Sequence, residues 1–185
     1  MNKNIVRTST THPLQINPIV NVGGATLYIT FCPGKKDKKA KTGIWDRDID
    51  LDLQELERLD IKVLVLLIEY KEINALQVAS LPEKCITNDI SLLLYPIVDN
   101  SIPEDLTTFE ELIQTICNTL SHNYNIAIVC KGGLGRSGMV SACVLTKFGM
   151  SPSDAIKTVQ QGRPHSIGRN HQQNFVKIYS QLRKN

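Results

Sequence analysis

Three short apolar runs constrain this chain's fold more than any other feature: residues 62–68 (KVLVLLI), 90–95 (ISLLLY) and 126–129 (IAIV). None alternates polar with apolar residues as a strand with one wet face does, so each reads as a strand covered on both sides. Segments of helical period lie between them. Leu51, Leu53, Leu56 and Leu59 recur at near-helical spacing after an acidic start, with Asp48 as the candidate cap. Residues 103–121 place Leu106, Phe109, Leu112, Ile113, Ile116 and Leu120 on one face, and Ser101 and Glu104 have the spacing of a capping box. Strands alternating with helices predict an α/β domain whose central, mostly parallel sheet is flanked by helices.

Residues 25–32 (ATLYITFC) add a strand that stops at Pro33-Gly34. Beyond Arg136 the pattern is helical: a helix over 140–148 closed by Gly149, another capped by Ser151 with Pro152 at its first position, and a last one over 169–182. Residues 1–24 show neither period and end in Gly23-Gly24, so the expectation is an N-terminal tail or arm preceding a single domain over 25–185.

A length of 185 residues suffices for one core and is short for two. With 42% apolar and 21% charged residues the chain is neither disordered nor fibrous. The longest apolar stretch, residues 63–68, falls far below the roughly 18 residues of a membrane span. The first twenty residues are polar and hold Pro13 and Pro18, unlike a secretory leader, so the cytoplasm is the expected compartment. Five cysteines (Cys32, Cys85, Cys117, Cys130, Cys143) at irregular spacing, without a Cys-x-x-Cys pair, read as reduced thiols rather than a zinc site or disulfide framework. A net charge of +3 implies no nucleic-acid partner. Lys35, Lys36, Lys38, Lys39 and Lys41 crowd around Asp37, which is either a solvated loop or a docking site for an acidic partner.

The third apolar run leads directly into Cys130, and five residues separate that cysteine from Arg136. Gly132, Gly133 and Gly135 lie between them, ahead of a helix. Such glycines allow backbone N–H groups of Lys131, Gly132, Gly133, Leu134 and Gly135 to turn toward one point as an anion cradle. The helix N-terminus adds partial positive charge, and Arg136 offers a planar fork for two phosphate oxygens. The same field favours the Cys130 thiolate, so nucleophile and oxyanion site coincide, as phosphoryl transfer requires. Ser137 is placed to donate to the sulfur. A departing oxygen needs a proton, and Asp99, in the turn-rich segment 96–103, is the candidate donor; a plain turn residue is the alternative. Glu104 and Asp105 read as first-turn helix acids. Neither a Walker loop nor a dinucleotide fingerprint is present, and a glycine-rich turn around a structural cysteine is the remaining alternative.

The segment Val129-Cys-Lys-Gly-Gly-Leu-Gly-Arg136-Ser137 resembles the phosphate-binding loop of the dual-specificity protein phosphatases, and Gly-Gly-Leu-Gly-Arg-Ser is similar to that of the kinase-associated phosphatase (cyclin-dependent kinase inhibitor 3) family. Pro96-Ile-Val-Asp99 resembles that family's general-acid loop, and Thr30-Phe-Cys-Pro33-Gly-Lys35 its first strand and turn. Asp50-Leu-Asp-Leu-Gln-Glu-Leu56, with Ile61-Lys-Val-Leu-Val65, resembles its first helix and following strand, so the likeness spans about residues 25–182. It implies a cysteine-dependent phosphatase fold, a phosphoprotein substrate, no metal or organic cofactor and a monomer. It implies Cys130 as nucleophile, Arg136 as phosphate binder, Asp99 as general acid, Ser137 as helper of thiolate departure and Gln172, beside Gln173, as the residue that orients the hydrolytic water. Val129 stands where the family usually has histidine, which opens the alternative of a phosphoprotein-binding module with slow turnover. A third reading substitutes a phosphoinositide or an RNA 5′ phosphate, with Lys131, Arg163 and Arg169 as polyanion contacts. Cys85 is the candidate thiol for resolving an oxidised Cys130.

Overall fold

In the computed structural model, which describes residues 5–40 and 42–182, the apolar runs become neighbouring strands. Strands β2 (Asn17–Val22), β3 (Ala25–Phe31), β6 (Ile61–Leu66), β7 (Ser91–Leu94) and β8 (Asn125–Cys130) form a sheet of order β2-β3-β8-β6-β7. β3, β8, β6 and β7 run parallel and β2 is antiparallel, so the fold is α/β with a mostly parallel sheet. The run ending at Cys130 occupies the middle of the sheet, and residues 126–130 are all buried. The run at 90–95 does not: β7 is an edge strand, half-covered, with Leu94 exposed. Three consecutive leucines look alike at a centre and at an edge, because composition carries no count of neighbours.

The helices pack around this sheet. α4 (Leu106–Ser121) and α5 (Gly135–Lys147) contact β3 and β8, α6 (Pro152–Gly162) contacts β2, α1 (Ile49–Arg58) contacts β6, and α3 (Leu81–Thr87) contacts β7. Asp48 caps α1 as expected, accepting from the Leu51 N–H at 3.0 Å. The capping box at Ser101 and Glu104 does not form. Instead α4 starts after Asp105, whose carboxylate accepts from the N–H groups of Thr107 at 2.7 Å and Thr108 at 3.3 Å. Asp105 is therefore the cap rather than a first-turn acid, and Glu104 lies outside the helix. α5 begins at Gly135, beside the helix start read directly after the loop glycines and five residues before 140, where its apolar period begins. α7 (Asn170–Leu182) matches its expected span.

Residues 17–22 are not a tail. β2 pairs with β3 from Asn17 opposite Ile29 to Val22 opposite Ala25, and Leu14 and Ile19 are buried. Gly23-Gly24 is the turn of this hairpin, with Gly23 at φ 63°, and not the end of an arm. Pro18 hid the strand, but on an edge next to a register shift a proline costs no ladder bond. Further upstream, the buried Arg47 guanidinium pairs with Asp52 at 2.7 and 2.8 Å and donates to the His12 carbonyl at 2.7 Å. The Asp48 N–H donates to Ser9 Oγ at 2.9 Å, so residues 9–12 are held against the start of α1.

Beyond α3, two further features were not anticipated. A small second sheet of order β1-β5-β4 joins β1 (Val6–Arg7), β5 (Ile44–Asp46) and β4 (Lys36–Asp37), placing part of the lysine cluster on a strand; Lys41 lies outside the described residues. The short helix α2 (Tyr70–Ala75) follows β6 at the sheet's carboxyl edge. No helix among the described residues is long and apolar enough to cross a membrane.

Candidate active site

Parallel sheets present ligand sites beyond the carboxyl ends of their strands. Here β8 ends at Cys130, the chain turns through residues 131–134, and α5 starts at Gly135. The turn lies flat on β3. Gly133 has φ 61°, and a Cβ there would sit 2.5 Å from the Thr30 carbonyl carbon and oxygen, so only glycine fits. Arg163 grips the outer side of the turn, donating to the Gly133 carbonyl at 3.1 Å and the Gly132 carbonyl at 3.4 Å. Since each peptide unit is planar and trans, drawing those oxygens outward aims the following N–H groups inward. Arg163 is in turn held by Gln15 Oε1 at 2.8 Å and Asn17 Oδ1 at 2.9 Å.

The sequence-predicted residues converge on one cavity of about 380 Å³, lined by Cys130, Arg136, Asp99 and Gln172 together with loop residues Lys131, Gly132, Leu134 and Gly135. Cys130 is 3% exposed. Burial alone pushes its thiol up, but the Arg136 charge, the Ser137 hydroxyl and the Ser137 and Leu134 amides outweigh burial and leave it below the ordinary thiol value. Ser137 Oγ is buried without a hydrogen-bond partner in the resting site, beside the thiol whose pKa it helps to lower. Val129, buried between Thr30 and Leu66 on the neighbouring strands, packs in the core and contributes no charge to the thiol.

Arg136 is 2% exposed, and both of its terminal nitrogens are engaged. Its Nη1 and Nη2 donate to the two oxygens of Glu72 at 2.6 and 2.8 Å, and Nη1 also donates to the Ile97 carbonyl at 2.8 Å. Nη2 reaches Asp99 Oδ1 at 3.0 Å. Burial works against the Glu72 carboxylate, yet its bonds from Arg136 and the Glu69 N–H hold it below the usual carboxylate value. Sequence reasoning missed Glu72. Its only local signal is Glu69-x-x-Glu72, a capping box directly after a buried strand.

Asp99 sits at the mouth with its side chain 53% exposed. The neighbouring Asn100 donates to it at 3.0 Å and is itself clamped by Arg169, just ahead of α7, with Nη2 on Asn100 Oδ1 at 3.1 Å, and by His171 of α7, with Nε2 against the Asn100 carbonyl at 2.6 Å. Gln172 is buried, donates through Nε2 to the Ser101 carbonyl at 3.1 Å, and leaves Oε1 unpartnered in the cavity wall. Gln173 donates to the Ile167 carbonyl at 2.8 Å and does not line the cavity, which separates the two glutamines. Arg163 and Arg169, read as polyanion contacts, are engaged within the protein. Lys131 directs Nζ to Asp37 Oδ2 at 3.0 Å, while its carbonyl accepts from Lys35 Nζ at 3.2 Å.

Cys85 lies on α3, outside the cavity, with its thiol pushed up to about 11 by burial. The thiol electrostatically coupled to Cys130 is Cys32, which follows the β3 residue paired with Cys130 and is likewise raised by burial. Cys85 is therefore not the partner that the site brings near the loop.

Comparison with known proteins agrees with this geometry. A family described as cyclin-dependent kinase inhibitor 3 matches residues 11–160. The rat cyclin-dependent kinase inhibitor 3 is 29% identical over 157 residues, covering 82% of this chain and 71% of the relative. A putative tyrosine phosphatase, 197R of invertebrate iridescent virus 6, is 33% identical over 87 residues, covering 44% of this chain and 32% of the viral protein. The crystal structure of kinase-associated phosphatase with its catalytic-site cysteine replaced by serine superposes with a TM-score of 0.81 at 24% identity, over 92% of this chain and 96% of that one. PTPMT1 superposes with a TM-score of 0.68 at 18% identity, over 91% of this chain and 95% of its own. The family match begins at residue 11 and so includes β2, which the structure places in the sheet. By that match, the chain belongs to the cyclin-dependent kinase inhibitor 3 family.

Proposed function

We propose that the chain is a protein phosphatase that hydrolyses phosphotyrosine, phosphoserine or phosphothreonine through a phosphocysteine intermediate. The observation that carries this reading is one cavity holding an acidified thiol, Cys130, beside a buried guanidinium, Arg136. In the first step the substrate phosphate lies against the loop N–H groups and Arg136. The phosphate dianion takes the guanidinium from Asp99, and the released carboxylate picks up a proton from solvent. Cys130 Sγ forms a bond to phosphorus as the ester P–O bond breaks, and Asp99 gives that proton to the departing oxygen. In the second step a water oriented by Gln172 Oε1 attacks phosphorus while the Asp99 carboxylate takes its proton. The P–S bond breaks, inorganic phosphate leaves, and Ser137 and Arg136 stabilise the returning thiolate.

The reaction needs no metal or organic cofactor, because nucleophile and acid are side chains. The lowered thiol favours turnover over mere phosphoprotein binding despite Val129, since the loop amides, Ser137 and Arg136 supply the stabilisation. In this reading the protein acts on phosphoproteins as a cytoplasmic monomer. Turnover of a small aryl phosphate tests it. Cys130→Ser abolishes phosphate release, and Asp99→Asn lowers kcat and removes the alkaline limb of its pH profile. Full turnover by Cys130→Ser would end the proposal.

A further inference from the structure

Beside the loop cavity lies a second, larger groove of about 960 Å³, and the two share Asp37, Lys39 and Lys131 as a common wall. The small sheet supplies one side of the groove through Val6, Ile44 and Trp45; Ala75 and Leu76, where α2 ends, supply the other. Four lysines (Lys36, Lys38, Lys39, Lys131) line it against two aspartates. Both aspartates are already paired, Asp46 with Lys36 at 2.7 Å and Asp37 with Lys131 at 3.0 Å. Lys38 and Lys39 are exposed and have no carboxylate partner among the described residues. A site meant only for one phosphate has no use for this uncompensated charge beyond its rim.

We propose that this groove seats an acidic segment of the substrate polypeptide, adjoining the phosphorylated residue held over Cys130. The inference rests on the phosphatase reading and deepens it by naming the substrate class. Charge complementarity selects an acidic occupant. The form of the groove selects a polypeptide. Its apolar wall is mostly recessed: Val6, at 44% exposure, and the small Ala75 are exposed, while the bulkier Ile44 and Trp45 are half-buried and Leu76 is buried. A bilayer needs protruding apolar groups, whereas side chains of an extended peptide reach into recesses. Nucleic acid is disfavoured because the one tryptophan is occupied: Lys35 Nζ lies 4.3 Å and the Arg7 guanidinium 5.3 Å from its ring centre, with Phe31 at 5.1 Å. No free aromatic face is left there for a base. Continuity with the loop cavity across Lys131 and Lys39 then fixes the acidic residues as near neighbours of the phosphoresidue.

The test compares phosphotyrosine peptides identical except for three flanking residues, Asp, Ser or Lys, placed on either side, with an aryl phosphate as reference. Wild-type protein is expected to prefer the Asp peptide over the Ser peptide about three- to tenfold in kcat/KM, mainly through KM, in line with a few exposed charge pairs. Lys38→Glu, which touches only the groove, removes that preference, favours the Lys peptide, and leaves aryl phosphate turnover within about twofold. Val6→Asp weakens every peptide and spares the aryl phosphate. Equal turnover of the three peptides by wild-type protein, or an equal loss on peptide and aryl phosphate in Lys38→Glu, overturns the proposal. So does a Lys38→Glu defect confined to phosphoinositide vesicles. Absence of aryl phosphate turnover by wild-type protein would instead sink the phosphatase reading itself, so the two failures are distinguishable.

Discussion

Replacing Glu72 with Gln tests whether Arg136 works by being held as well as by being charged. The carboxylate accepts Arg136 at 2.6 and 2.8 Å and the Glu69 N–H at 3.0 Å. A glutamine of the same shape keeps one acceptor oxygen and turns an NH₂ group toward a guanidinium N–H, donor against donor. At least one charge-assisted bond is lost in a buried setting, which costs about 2–3 kcal/mol. For a chain of this size each kcal/mol lowers Tm by roughly 2–4 °C, so calorimetry should show a fall of about 4–12 °C. Arg136 keeps the Ile97 carbonyl as an anchor but loses its fixed plane, and misplacement of a phosphate clamp should lower kcat/KM by about 10- to 100-fold. The thiol supplies the control. Removing a negative charge beside Arg136 leaves its guanidinium less neutralised, so the pH midpoint of Cys130 alkylation should stay low or fall further. A Tm within 1 °C and kcat/KM within about twofold of wild type would refute the argument. A raised alkylation midpoint would refute it too, because Glu72 would then be acting through the thiol.

Other perturbations separate the remaining contributions. Ser137→Ala removes a donor to the sulfur, so the iodoacetamide reactivity of Cys130, which wild-type protein retains below the ordinary thiol range, should retreat to higher pH. Lys35 is buried between Phe31 and Trp45, and burial lowers its ammonium pKa from 10.5 to about 8. Below pH 8 folded and unfolded chains both hold this proton and folding bears the whole burial cost, which is relieved as pH rises toward 10.5. Denaturant titrations should therefore show wild-type stability rising relative to Lys35→Met across that window, by about 3 kcal/mol; parallel curves would contradict the burial argument. Gly133→Ala, which drives a Cβ into Thr30 at 2.5 Å, should lower Tm by several degrees and slow turnover, whereas Gly132→Ala, with nothing within 4 Å, should leave Tm near wild type. Arg163→Met should lower kcat on aryl phosphate while circular dichroism stays unchanged, because it releases the Gly132 and Gly133 carbonyls without opening the core.

What was legible in the sequence is what is local. The parallel strands show as continuous apolar runs, and Cys130 with Arg136 shows as a spacing within a single turn. Asp99, read from a turn-rich segment, lies at the cavity mouth, and of the adjacent Gln172 and Gln173 only Gln172 lines the cavity. Glu72 was not legible, because it lies 64 residues from Arg136 and meets it only when β6 and β8 pair side by side. Strand β2 was masked by Pro18 and by a glycine turn that marks a hairpin as readily as a tail's end. β1, β4 and β5 are two or three residues long, too short for any period, so the groove they wall was visible only as a lysine cluster. The shift of the α4 cap from the Ser101 and Glu104 spacing to Asp105 shows that a reciprocal motif loses to a single carboxylate already facing two free amides.

The clasp of Arg163 on Gln15 and Asn17 ties the phosphate loop to chain that lies far from the cavity. It couples the shape of the phosphate loop to docking of β2 and the residues just before it: a chain begun at residue 25 would retain Cys130, Arg136, Glu72 and Asp99, yet lose the two side chains that steady Arg163. Anything that peels β2 from the sheet edge, from a protease to a competing strand, would slacken the loop from behind without ever entering the cavity.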